Sequence, residues 1–136
     1  MPRVVRIHHV AFAHGADASP HDRFAELLGL SVSHAEEVLG FVERMIPAGD
    51  CYLQTLEATG PGVVATFVGK RGNALHHVAL EVDDLDGYVE DLRRRGVRLV
   101  DDRARPGGMG TMIAFVHPSV FDGLLVELVQ VPGGSP

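Results

Sequence analysis

The chain has no tryptophan, two tyrosines and one cysteine among its 136 residues, and no apolar run approaches the length that spans a membrane. The single cysteine, Cys51, excludes an intrachain disulfide, as is typical of proteins in a reducing compartment. Basic residues are also few, since 12 Lys and Arg stand against 18 Asp and Glu. An acidic chain argues against binding to nucleic acid or to a membrane surface. With no apolar stretch of the signal-peptide kind at the N-terminus, the sequence predicts a cytoplasmic protein.

What the chain does have is an internal repeat. The tetrapeptide His-His-Val-Ala stands at residues 8–11 and again at 76–79, an offset of half the chain. Each half reads as a strand, a helix and then three strands. We therefore expect one α+β domain over residues 1–136, made of two tandem βαβββ modules. The modules cover about 1–60 and 72–136, with a linker at about 61–71.

Caps and turn residues delimit the predicted elements. Ser-Pro at 19–20 and Asp-Asp at 83–84 are typical of helix starts, and Gly29 and Gly96 of helix ends. Periodicity does not decide between helix and strand for residues 63–70. Predicted strands occupy 4–13, pieces of 30–46, 51–57, 75–82, 97–100, 111–116 and 124–129, and a Pro/Gly-rich loop occupies 103–110.

Strand alternation separates the two histidines of each pair. His9 shares a face with Ala11, and His77 shares a face with Ala79. The opposite faces carry Val with Phe or Leu, which suits packing on a helix. We therefore expect His9 and His77 to point away from the helices, beside alanines that leave room for a ligand. The alternative is a pair of hydrogen-bonded structural histidines near the strand starts.

Two other predicted strands carry one polar residue in an apolar run, Gln54 within 52–56 and Glu127 within 124–129. A carboxylate in such a run is costly to bury unless it is paired or bound to a metal. The alternatives are an edge strand that exposes Glu127 and a half-exposed strand that tolerates Gln54. With His9 and His77, the set would supply two nitrogens and two oxygens. Such a set suits an octahedral divalent ion with two positions left for water or substrate.

The motifs around these residues resemble the vicinal oxygen chelate superfamily, which includes glyoxalase I, extradiol dioxygenases and bleomycin-resistance proteins. Within it, they are most similar to the methylmalonyl-CoA epimerases. The resemblance covers most of the chain apart from residues 14–38. The motifs are Ile-His-His-Val-Ala at 7–11, Tyr-Leu-Gln-Thr-Leu-Glu at 52–57, Lys-Arg-Gly at 70–72, Leu-His-His-Val-Ala at 75–79, Glu-Val-Asp-Asp-Leu at 81–85, Arg-Gly-Val-Arg-Leu at 95–99, Pro-Gly at 106–107, Phe-Val-His-Pro at 115–118 and Leu-Val-Glu-Leu at 125–128.

The resemblance implies a curved mixed sheet around a metal-containing cavity, with His9, Gln54, His77 and Glu127 as the metal ligands. The expected ion is cobalt, with manganese, nickel or zinc as alternatives. A family glutamate three positions after a glycine corresponds to Glu43, for which a solvated strand residue is the alternative. The implied reaction epimerises methylmalonyl-CoA, or a close 2-alkylmalonyl-CoA. In it, Glu43 and Glu127 exchange the α-proton through a metal-stabilised enolate.

An acyl-CoA thioester substrate also needs cations and a closely approaching backbone, and the family implies a homodimer. Ordinary surface charge and a flexible turn are the alternatives for the residues that fit this role. These residues are Lys70, Arg71, Arg103, Arg105, Gly107 and Gly108.

Three features depart from the family pattern. His8 stands where Asp is usual, Ser-Val-Phe at 119–121 follows His-Pro where Lys is usual, and the first helix region is short. The metal ligands are unaffected, but a larger or more apolar acyl group, such as ethylmalonyl, is left open. The alternative functions are a glyoxalase I-type isomerase on the same ligands and a non-catalytic binding module of the bleomycin-resistance type.

Overall fold

The computed structural model describes residues 1–133, and within them three helices and eight strands follow an α+β pattern, which confirms the predicted fold class. No helix in this range combines the length and the apolar character needed to cross a membrane. The helices are Pro20–Leu28 (α1), Val63–Arg71 (α2) and Leu85–Arg94 (α3), and the strands are Val4–His14 (β1), His34–Val38 (β2), Phe41–Ala48 (β3), Cys51–Ala58 (β4), Ala74–Val82 (β5), Arg105–Pro106 (β6), Met112–Val116 (β7) and Val126–Gln130 (β8).

The chain divides into two compact units, and the N-terminal unit is His9–His76. Its strands hydrogen-bond in the order β2-β3-β4-β1, antiparallel except for the parallel pair of β4 with β1. Gly40 stands at the turn between β2 and β3 with φ 94°, a left-handed conformation that glycine adopts without steric cost. Helix α2 packs on one face of this sheet, where the buried cluster is Ala11, Ala13, Leu56 and Val64.

The C-terminal unit is Met1–His8 together with His77–Pro136. Its strands follow the order β5-β8-β7-β6, parallel between β5 and β8 and antiparallel elsewhere. Helix α3 packs against one face of this sheet. Each fully buried aliphatic side chain there contributes about 1.5–3 kcal/mol, so this packing anchors the strands that carry the candidate site. The buried core is Val82, Leu85, Val89, Ala114, Val116, Val126 and Leu128.

Two side chains hold the N-terminus of α3. Asp84 is the predicted N-cap, and its carboxylate accepts a hydrogen bond from the backbone N–H of Gly87 at 3.0 Å. Gln130 Oε1 accepts a second hydrogen bond, from the backbone N–H of Leu85 at 2.8 Å. Gln130 ends β8, so this bond ties the helix directly to a strand of the sheet that it covers.

Asp83 fastens the N-terminal segment next to this cap. Its Oδ1 accepts a hydrogen bond from the backbone N–H of Arg3 at 2.8 Å, and its own N–H donates to the Arg3 carbonyl at 3.2 Å. The hydrogen bond from Arg3 lowers the pKa of Asp83 below its usual value, with the charge of the guanidinium adding to the effect. This contact is therefore present above the usual aspartate range and is lost only as pH falls through the lowered pKa.

Two stretches differ from the sequence-based prediction. The strand at 97–100 is reduced to one bridge between Leu99 and Val116, and the loop at 103–110 contains the two-residue strand β6, which pairs with β7. Residues 63–70, which the sequence left open between helix and strand, belong to α2. A short apolar stretch becomes a strand only where it can pair with the edge of a sheet. The local sequence pattern does not specify which strand will be its partner. The repeat boundaries at about 1–60 and 72–136 stay a prediction.

Shortening Leu85, the first residue of α3 and only 1% exposed, tests the packing of the C-terminal unit. We expect Leu85→Ala to lower the free energy of unfolding by about 2–5 kcal/mol, because the cavity is enclosed by core side chains. The matched control is Leu27→Ala in α1, where the leucine is 68% exposed and the change should stay within about 0.5 kcal/mol. Urea denaturation measures both. Equal losses in the two variants would contradict the anchoring role of α3.

Candidate functional site

Three of the predicted side chains share one face of the sheet in the N-terminal unit. β1 pairs with β4 so that Ala11 lies beside Gln54, and alternation places His9 on the same side as Ala11. β3 pairs with β4 so that Met45 lies beside Gln54, and alternation places Glu43 on that side. His9 and Gln54 are buried, and Glu43 is half-buried. Strand register therefore collects residues that are far apart in sequence.

The amide of Gln54 has one engaged end and one orphaned end. Its Nε2 donates to Met45 Sδ at 3.2 Å. Its Oε1 is buried, and no group among residues 1–133 donates a hydrogen bond to it. An unsatisfied buried acceptor costs about 1–3 kcal/mol, and a cation bound to the oxygen would remove that cost. The orphaned oxygen fits the predicted role of Gln54 as a metal ligand.

In the C-terminal unit, His77 and Glu127 lie side by side on β5 and β8. The parallel pairing puts Ala79 beside Glu127, so His77 is on the same face. His77 Nε2 is 3.3 Å from Glu127 Oε1, and the side chains are 5% and 7% exposed. The opposite face of β8 carries Val126 and Leu128, which pack in the α3 core. The prediction that His77 points away from its helix is confirmed.

His9, His77 and Glu127 are all buried, and each offers one ligand atom within 4.8 Å of the other two. Neighbouring ligands of an octahedral ion with bonds of about 2.1 Å stand about 3 Å apart, close to the 3.3 Å between His77 and Glu127. Two imidazoles and a carboxylate are a donor set that cobalt, manganese, nickel and zinc all accept. The residues present fit a divalent metal ion.

The surroundings of His9 differ from expectation in one respect. Ala11 and Ala13 are both 0% exposed, because Val64 of α2 joins their cluster. These two small side chains therefore make room for a helix, and the expectation that Ala11 leaves room for a ligand beside His9 is wrong. The same expectation for Ala79 beside His77 stays a prediction. The sequence did not indicate this because periodicity left residues 63–70 undecided.

Two of the predicted CoA-binding cations stand at the end of α2. Lys70 and Arg71 line a groove of about 520 Å³ together with Phe67 and His76. The Arg71 guanidinium lies 5.4 Å from the centroid of the Phe67 ring, and the His76 ring meets the same ring edge-on at 4.7 Å. His76, the first histidine of the pair at 76–77, thus belongs to this groove.

The other predicted CoA-binding residues belong to the C-terminal unit, and two of them have structural contacts. Arg105 Nε bonds Asp101 Oδ1 at 2.8 Å. A side chain on Gly107 would place a Cβ 2.6 Å from Ile113, so close packing explains this glycine. Exposed Arg103 and half-buried Gly108 complete the set.

Phe115 is a neighbour of the site that sequence reasoning missed. Its ring meets the His77 imidazole edge-on at 5.3 Å, and it lies opposite Glu127 in the pair of β7 with β8. The Arg105 guanidinium lies over the Phe115 ring, 5.9 Å from its centroid. Alternation within 111–116 puts Phe115 on one face, but only the register between strands places it beside Glu127.

A model of the glyoxalase/bleomycin resistance protein/dioxygenase superfamily matches residues 8–115. The mitochondrial methylmalonyl-CoA epimerase of Mus musculus is 31% identical over 92% of this chain and 72% of its own length. An ethylmalonyl-CoA/methylmalonyl-CoA epimerase of Cereibacter sphaeroides is 28% identical over 93% and 98%. The solved structure of a methylmalonyl-CoA epimerase in complex with methylmalonyl-CoA and NH4+ is 34% identical over 98% and 100%, with a TM-score of 0.88.

The chain belongs to the glyoxalase/bleomycin resistance/dioxygenase superfamily. Its fold is that of the solved methylmalonyl-CoA epimerases, which confirms the predicted vicinal oxygen chelate fold. The relatives are epimerases, and the prediction of an isomerase is confirmed with them.

Removing predicted ligands should weaken metal binding. We expect His77→Ala to lower the affinity for Co²⁺ more than about 100-fold. Mutating a group that only orients a metal ligand already lowers metal affinity about 10–100-fold. Gln54→Leu should also lower it, by less, because an amide oxygen is a weaker donor to this ion than an imidazole nitrogen. Isothermal titration with Co²⁺ measures both variants.

The control for this titration is His117→Ala, since the His117 ring bonds Ser119 within a 3-10 turn. Its affinity should equal that of the native protein. Native affinity in His77→Ala would refute the ligand set, and native affinity in Gln54→Leu would restrict it to the other three residues.

Proposed function

We propose that this protein is a metal-dependent epimerase of methylmalonyl-CoA or of a close 2-alkylmalonyl-CoA. The observation that carries the proposal is the buried group of His9, His77 and Glu127, with three ligand atoms within 4.8 Å. It occurs in a chain that is 34% identical to an epimerase solved with methylmalonyl-CoA. Gln54 is the proposed fourth ligand, and cobalt the proposed ion, with manganese, nickel or zinc as alternatives.

The proposed substrate has its α-carbon between a thioester and a carboxylate, so the α-proton is acidic. Loss of that proton develops negative charge on the thioester oxygen. A divalent ion held by His9, Gln54, His77 and Glu127 would supply Lewis-acid stabilisation of this charge, worth several kcal/mol. The chain itself contributes burial of these side chains, which limits access of water and strengthens electrostatic interactions there.

Epimerisation needs one base on each side of the α-carbon. We assign Glu43 to one side and Glu127 to the other. Glu43 receives the proton of one epimer while Glu127 returns a proton to the opposite side, and the reverse reaction exchanges their roles. What supports Glu43 is its half-buried place on the face that also carries His9 and Gln54.

The CoA moiety carries phosphates, for which cations are the natural contacts. We propose Lys70 and Arg71, because both line the groove along α2. Arg103 and Gly108 remain proposed contacts in the C-terminal unit. Arg105 is paired with Asp101, and Gly107 is explained by packing, so their proposed CoA contacts have less support.

The acyl group is proposed to be methylmalonyl or slightly larger. The relative of Cereibacter sphaeroides is named for both ethylmalonyl-CoA and methylmalonyl-CoA. The apolar Val120, which departs from the family pattern, packs against the α3 core. Its apolar character therefore serves the fold of the C-terminal unit and gives no argument for a larger acyl group.

The predicted homodimer and the predicted cytoplasmic location also stand as proposals. A homodimer would sediment at about twice the chain mass of 14.6 kDa. Sedimentation equilibrium of the metal-loaded protein distinguishes this from a monomer.

Deuterium exchange tests the reaction directly. Incubated with racemic methylmalonyl-CoA in deuterated water, the metal-loaded protein should catalyse incorporation of deuterium at the α-carbon, and a chelator should abolish it. We expect Glu43→Gln to lower the epimerisation rate by about 10²–10⁴, the usual worth of a general base. Mass spectrometry and a chiral assay of the product are the measurements.

The matched control is Glu37→Gln, because Glu37 is an exposed glutamate on the opposite face of the β2–β3 pair. It should retain native turnover. No exchange in the metal-loaded native protein would refute the epimerase. Conversion of a glutathione hemithioacetal would then indicate the glyoxalase I-type alternative. Binding of a ligand without turnover would indicate the non-catalytic binding module.

A further inference from the structure

We propose that His34 and Glu36 form a proton relay that returns Glu43 to its ionised form after each turnover. The proposal rests on the assignment of Glu43 as a base under the proposed function. In a two-base epimerisation, the accepting glutamate ends the turnover protonated. Before the same epimer is used again, Glu43 has to lose that proton, so it needs a route to solvent.

The register of β2 against β3 supplies the first step of this route. Glu36 lies directly opposite Glu43 in the antiparallel pair. Opposed side chains in such a pair have Cβ atoms about 4.5–5.5 Å apart, and two like charges there repel each other. A proton shared between the two carboxylates removes one of the two charges and so relieves that repulsion. On its other side Glu43 is paired with Leu56 of β4, which offers no proton acceptor.

His34 supplies the second step. It lies on the same face as Glu36, and its Nε2 is 2.8 Å from Glu36 Oε1. The side chains of His34 and Glu36 are 36% and 40% exposed. His34 lies opposite buried Met45 in the pair of β2 with β3, and the exposed part of its ring is where a proton reaches water. Imidazole is the side chain whose ordinary range lets it take up and release protons near neutral pH. The three residues thus connect a half-buried base with the solvent.

The transfer moves one proton and breaks no bond except those to hydrogen. Protonated Glu43 gives its proton to the Glu36 carboxylate, and Glu36 passes a proton to one ring nitrogen of His34. The other ring nitrogen releases a proton to water. At the end, Glu43 and Glu36 are carboxylates and His34 is neutral with its ring proton on the other nitrogen, and exchange of that proton with water or a ring flip restores the starting form. In the reverse direction the same path reprotonates Glu43.

The variant His34→Gln keeps a hydrogen-bond donor for Glu36 but cannot carry a proton through a ring. We expect its steady-state kcat for one epimer of methylmalonyl-CoA to fall at least about tenfold. Added imidazole should restore kcat, because a small buffer replaces the missing carrier. Single-turnover α-deuteration with protein in excess should keep its native rate, since Glu43 starts ionised, Glu127 supplies the deuteron, and neither has to be reset within one turnover.

The control His117→Gln should show native kcat with and without imidazole. Native kcat in His34→Gln would overturn the relay, and so would an equal loss in both kinetic regimes that imidazole does not restore. If circular dichroism shows that His34→Gln does not fold, Glu36→Gln tests the relay instead, by the same steady-state and single-turnover measurements. Absence of exchange in the native protein would overturn the proposed function and the relay with it.

Discussion

Polar side chains inside buried strands persist only where each finds a partner, and this constraint organises the molecule. Glu127 and His77 stand 3.3 Å apart with almost no exposure. The Gln54 amide engages Met45 at one end, and at the other its buried oxygen has no donor within the described part of the chain. Apolar residues at these positions would pack without that cost. These buried positions nevertheless carry side chains that can bind a metal ion, which is why they form a candidate metal site.

The helices make these buried positions, and they do so differently in the two units. In the C-terminal unit α3 covers the face opposite His77, leaving the histidine among Ala79, Phe115 and Glu127. In the N-terminal unit α2 packs over the same face as His9, filling the space beside the alanines. The repeated tetrapeptide therefore has two different environments. Similar strands place similar histidines, while the helix packed on each sheet decides which neighbouring groups surround them.

Much of this could be predicted because the physical rules involved are local. Period-two alternation separated His77 from the apolar residues that α3 covers, and the cap at Asp84 marked the start of that helix. Phe115 and α2 could not be placed, since their positions depend on strand register and on packing between distant segments. For the same reason the sequence could not indicate that Glu36 lies beside Glu43. Its place opposite Glu43 is a property of the β2–β3 pair and of neither strand alone.

The sequence by itself determined the α+β class, the repeated strand-helix order and the residue types able to hold a divalent ion. It did so because side-chain chemistry, capping and alternation act over a few neighbouring residues. Tertiary structure decided that His9, His77 and Glu127 converge within 4.8 Å and that the buried Gln54 oxygen meets no donor among residues 1–133. It also decided that Glu36 lies opposite Glu43 and in contact with His34. These facts depend on register and burial, which arise only when strands far apart in the chain pair with one another.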